Sequence, residues 1–217
     1  MSGEKRTQKE VVDTILHCSV LVSDTLIRMA DFVTLTLLYH PGIEERADKM
    51  EQLYHNVLNF IDDITTTIYQ PLDKENMSIN QYDPIFVNLK NAAKLMADLV
   101  SLLSQEHINM HLQTMEYFYN LNKSILECIN VFNHLVHASS SDILNFDKSR
   151  ITGFEIVAHQ LNRSLLKELS AENSEWQQTF VLYLIGEKMS SIVFHCCEAC
   201  KKMYASRLVI IGSKKKN

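Results

Sequence analysis

Residues that turn a chain are nearly missing from this one: among 217 residues there are 5 glycines and 3 prolines. A β-sandwich, a barrel or a doubly wound sheet reverses direction every few residues and draws on Gly and Pro to do it. Their scarcity, in a chain that is 46% hydrophobic, predicts long helices around a sizeable core. The length suits one large domain or two small ones.

Helical periodicity fills in that outline. Val12, Ile15, Val22, Leu26, Met29, Val33 and Leu37 mark a first helix that ends at the His-Pro-Gly of 40–42. Met50, Leu53, Val57, Ile61, Ile64 and Ile68 mark a second, which stops before Pro71. After a polar loop, Phe86, Leu89, Ala93, Met96 and Leu99 mark a third. A fourth is expected over 107–138, then a connection through the Ser run at 139–141 to Arg150. Phe154, Val157, Leu161 and Leu165 mark a fifth, and a sixth is expected over 175–208.

A shift of 104 positions lays the second helix on the fifth. Met50 falls on Phe154, Leu53 on Val157, Val57 on Leu161 and Ile61 on Leu165, while Glu51 falls on Glu155 and His55 on His159. The common register of stripe and polar pair predicts an internal duplication, residues 1–106 and 107–217, each a three-helix unit. It also predicts Leu53, Val57, Ile61, Val157, Leu161 and Leu165 as core residues. The fold expected is all-α, with six long helices as two three-helix bundles.

Glu51 and His55, like Glu155 and His159, are four residues apart and share a helix face. One reading is a polar pair at the edge of a core. The other is a divalent metal site, which needs further ligands from neighbouring helices. The sixth helix offers Glu187, His195 and Glu198, with Ser191 between them; the third offers Lys90, Lys94 and Asp98. Two lysines oppose a metal in the first half, so any divalent ion is expected at Glu155, His159 and His195 rather than at Glu51 and His55.

Other signals exclude more than they assign. The formal charge is -5, with acids and bases interspersed, which disfavours nucleic acid as a partner. Five cysteines (Cys18, Cys128, Cys196, Cys197 and Cys200) and a polar N-terminus point to a reducing, cytoplasmic setting. The apolar stretch over 15–38 is broken by Asp24, Arg28 and Asp31, so a soluble chain is expected, peripheral to a membrane at most. Cys197 and Cys200 form one Cys-x-x-Cys without a second pair, and the cysteines are expected to pack as small apolar residues. His107, His111, His134 and His137 read as surface or boundary residues. No Gly-rich phosphate loop, nucleophile elbow or Cys and His catalytic signature is found, so no enzyme is expected.

Two stretches carry a family likeness. "MEQLYHNVLNFIDDITTTIYQPLDKENM" resembles the second helix of the PhoU-like family and its exit, where Pro71, Asp73, Lys74 and Glu75 match a Pro, an acid, a base and another acid. "FEIVAHQLNRSLLKELSAENSEW" with "GEKMSSIVFHCCEACKKM" is similar to the second repeat, including the Cys-Glu run late in the last helix. The branch resembled is that of single-chain phosphate transport regulators. The resemblance implies two three-helix bundles related by a pseudo-twofold, metal clusters held by Glu-x-x-x-Asp motifs, and control of phosphate uptake. This chain departs from the motif, with His55 and His159 at the second Asp position and Ser191-x-x-x-His195 in the last helix.

Two functions follow as expectations. The first is a non-catalytic cytoplasmic regulator of inorganic phosphate transport that binds a phosphate permease or another transport component, a homodimer being left open. The alternative is a helical metal-binding protein that uses the Glu and His pairs of its inner helices.

Overall fold

The structure, a computed structural model, describes residues 8–38, 43–68, 82–105, 110–171 and 176–214. Those residues are almost wholly helical and contain no strand. Their seven helices are α1 (Gln8–Leu38), α2 (Ile43–Ile68), α3 (Asp83–Gln105), α4 (Leu112–His137), α5 (Ser140–Asn145), α6 (Ser149–Ala171) and α7 (Trp176–Lys214). The all-α class is as expected, with seven helices in place of six. The exit after Pro71, with Asp73, Lys74 and Glu75, lies outside the described residues, as do His107 and the boundary between 106 and 107.

The additional helix is α5, in the stretch read as a connection. Ser139 builds a capping box there: its Oγ accepts from the Asp142 backbone N–H, and its own N–H donates to Asp142 Oδ2. Ile143 is fully buried and anchors this short helix, which packs on α7.

Two sets of three helices make the body. α1, α2 and α3 pack on one another, and so do α4, α6 and α7. The sets meet along α1 with α4 and α3 with α7. The stripes of α1 and α3 point inward as their spacing predicts: Ile15, Val22, Leu26, Met29 and Val33 are buried, and so are Phe86, Leu89, Ala93, Met96 and Leu99. One polar anchor crosses the junction. Asn122 of α4, 1% exposed, donates from Nδ2 to Ala30 O at 2.9 Å and to Thr34 Oγ1, both on α1. A buried amide is tolerable only with such partners.

Each set also closes the C-terminal end of its first helix with an arginine. Arg46 of α2 donates to Leu35 O at 2.7 Å, and Arg207 of α7 donates to Ala138 O. These carbonyls have no intrahelical partner, and a cation there also suits the negative end of the helix dipole.

The expected core of α2 and α6 needs correcting. Val57 and Ile61 are buried and Leu53 packs at the edge of the core. On α6 Leu165 is buried and Leu161 partly so, but Val157 is 44% exposed. Burial on α6 runs through Ile151, Ala158, Asn162 and Leu165. A shift of 101, not 104, carries the buried Met50, Val57, Ile61 and Ile64 onto those four positions. The three-residue difference turns the face by about 60°. Glu51 and Glu155 therefore do not occupy corresponding positions relative to the core.

α7 is the one described helix with a stretch, Trp176–Gly212, long and apolar enough by length and composition to cross a membrane; 44% of its most apolar segment is buried inside the fold. The stretch over 15–38, where the sequence is also apolar, does not reach that level.

Candidate functional site

The interface of α6 and α7 is close because of one glycine. A Cβ at Gly186 would lie 2.7 Å from Leu165 Cδ2 and 2.8 Å from Asn162 Oδ1, so a larger residue would push the helices apart. Beside this crossing is a groove of about 450 Å3, lined by Glu155, Ala158, His159, Asn162, Glu187, Ser190, Ser191, Phe194 and His195. Glu155, His159 and His195, picked out by spacing, thus converge on one place, with Glu187 and Ser191 beside them.

Hydrogen bonds fix the polarity of the groove. Asn162 Nδ2 donates to Glu187 Oε1 at 2.6 Å. A carboxylate at neutral pH only accepts, so the amide orientation is set and Asn162 Oδ1 is left buried without a partner. Ser190 Oγ, one turn past Gly186, is also buried and unpartnered. His195 Nδ1 lies 2.9 Å from Asn88 Oδ1 of α3. Asn88 spends its Nδ2 on Pro84 O at 2.7 Å, so its oxygen is an acceptor and Nδ1 of His195 carries the proton. Burial holds the pKa of His195 below the ordinary histidine range, outweighing the opposing pull of Glu198. At neutral pH the ring is therefore neutral, and its Nε2 keeps a lone pair.

Glu155 is already engaged. Lys201 Nζ donates to Glu155 Oε1 at 2.7 Å and to Glu198 Oε1 at 2.9 Å. Desolvation works against the ammonium, but hydrogen bonds and charge from the two carboxylates outweigh it and raise the Lys201 pKa.

In the first half the pair of the same spacing stands in solvent. Glu51 and His55 face each other at 3.8 Å, with 72% and 62% of their side chains exposed. Lys90 and Lys94 are exposed, and Asp98 reaches across to Lys188 of α7 at 3.7 Å.

Neither set fits a metal ion. Among the described residues, no group of three or more His, Cys, Asp or Glu side chains is arranged to hold one. Lys201 occupies Glu155, and Glu51 and His55 gather no third ligand among the described residues.

Spacing alone missed Asn162, Phe194 and Ser190, and it missed the sulfur cluster of the core. Cys128 Sγ of α4 lies 3.4 Å from Cys197 Sγ and 3.8 Å from Cys200 Sγ of α7. These thiols and Cys196 are buried and free, and their pKa values are raised. For Cys196 and Cys200 the leading cause is burial; for Cys197 it is the hydrogen bond with Cys128, with burial next. Such thiols are poor nucleophiles and pack as the small apolar residues expected. His111, His134 and His137 are exposed, as expected.

The sequence matches no protein-family model and no curated protein.

Proposed function

We propose that the protein is a non-catalytic binding protein that regulates inorganic phosphate transport, docking through α7 on a phosphate permease or one of its cytoplasmic partners. The observation that carries the binding reading is a line of exposed apolar side chains on α7, interrupted by Glu187, Ser191 and Glu198. Trp176, Phe180, Phe194 and Val209 are all more than half exposed, and their spacing puts them within about 60° of one another around α7. An exposed line of this kind on a long helix is a surface for another helix or an extended segment.

The phosphate half of the proposal is supported by the likeness of the second helix and the second repeat to PhoU-like regulators, and by the grouping of helices as two sets of three. In this reading the two sets are related by a pseudo-twofold that exchanges α1 with α4, α2 with α6 and α3 with α7. Metal clusters are left out of it, because Lys201 holds Glu155 and the Glu51 and His55 pair stands in solvent.

Deleting the gene is expected to change phosphate uptake while permease abundance stays constant. A Phe180→Glu and Val209→Glu double variant is expected to reproduce that change and to lose the permease in a pull-down. Unchanged uptake at low and high phosphate, with no permease recovered by the unaltered protein, overturns the proposal.

A further inference from the structure

The groove between α6 and α7 carries more negative charge than the one ammonium at its edge balances. Glu155 and Glu198 share the single ammonium of Lys201. Among the described residues no cation pairs with Glu187, whose neighbour Lys188 is turned to Asp98. Two carboxylates thus line the groove, and of these Glu155 alone has an ammonium partner among the described residues. His195 Nε2 adds a lone pair, as its tautomer requires. Asn162, 6% exposed, lines the groove and turns its Nδ2 to Glu187, which holds that carboxylate in place. Phe194, 51% exposed, supplies an aromatic wall.

We propose that this groove binds a small organic cation with several N–H donors, an alkyl ammonium or guanidinium. Its charge balances Glu187, its N–H groups meet the carboxylates of Glu155 and Glu187 and the lone pair of His195 Nε2, and its methylenes or its cationic plane pack on Phe194. A volume of about 450 Å3 accommodates a molecule of that size. A bare divalent ion is a poorer match, because Lys201 already neutralises Glu155 and, among the described residues, the side chains that remain are not arranged to hold one. The inference stands on the groove alone and is independent of the phosphate reading.

Calorimetric titration of the full chain with agmatine, then with putrescine, tests it. Saturable one-to-one binding is expected for at least one of them. Glu187→Gln, which keeps the shape and the acceptor for Asn162, is expected to weaken it at least tenfold. Phe194→Ala, at an exposed position that folding does not depend on, is expected to weaken it severalfold. Glu51→Gln, on the open face of α2, is expected to bind as the unaltered protein does. The proposal is overturned by absence of binding at millimolar ligand, by equal binding in Glu187→Gln and Phe194→Ala, or by manganese alone displacing the amine from the groove.

Discussion

On α2, Glu51 and His55 face each other across 3.8 Å with most of both side chains in water. On α6, Glu155 is drawn against Lys201 with 24% of its side chain exposed, and His159 stands over a groove. The four-residue spacing is the same in both places. What differs is the position of the pair relative to the buried stripe. On α2 that stripe is Met50, Val57, Ile61 and Ile64; on α6 it is Ile151, Ala158, Asn162 and Leu165, about 60° nearer round the helix to Glu155. A motif repeated along a chain is repeated in space only when the core holds it in the same register.

The contrast is broken or sharpened by substitution. The largest effect is expected at Leu165: truncation to Ala removes a fully buried side chain at the crossing and should cost about 2–5 kcal/mol, read from chemical denaturation. Next is Gly186→Val, which forces Leu165 and Asn162 away from α7 and should cost about 1–3 kcal/mol. A stability unchanged by Gly186→Val would mean the helices are farther apart than described. Lys201→Met leaves two partly buried carboxylates without their ammonium and should cost about 1 kcal/mol, the partial exposure of Lys201 keeping the loss small.

A smaller effect is expected from pH. The folded state binds a proton at His195 less readily than the unfolded chain does, because burial opposes the charge. Its contribution to stability is therefore present above the ordinary histidine pKa and is lost as pH falls through that value to the lower folded one. Denaturation midpoints should drop over that window, and His195→Gln should flatten the drop.

The smallest effects test the register itself. Val157→Ala and Glu51→Gln should each change stability by less than about 0.5 kcal/mol, since both positions are exposed. A Val157→Ala loss as large as that of Leu165→Ala would restore the 104-residue register.

The inward faces of α1 and α3 were legible because their apolar residues form unbroken stripes. The face of α6 was not, for a reason built into helices. Shifts that differ by three residues both lay one amphipathic stripe nearly on another, so apolar residues alone hardly distinguish 101 from 104. The Glu and His coincidence then decided wrongly. Asn162 hid the true stripe, because a polar residue occupies a buried position where the first half has Ile61. Its place is explained only by Glu187, 25 residues away on another helix. The start of α5 was readable in principle, as a Ser139-x-x-Asp142 capping box, but was read as loop. The approach of Cys128 to Cys197 and Cys200 joins helices far apart in the chain, and no spacing rule reaches it.

The meeting of α1 with α4 and of α3 with α7 has a consequence for how the protein is made. As the chain leaves the ribosome, at roughly 5–20 residues per second, α1, α2 and α3 emerge several seconds before α7. In that interval Ala30 and Thr34 wait for Asn122, and the face of α3 that will meet α7 is uncovered. The nascent first set therefore keeps apolar surface open to solvent until α4 and α7 have been translated to cover it.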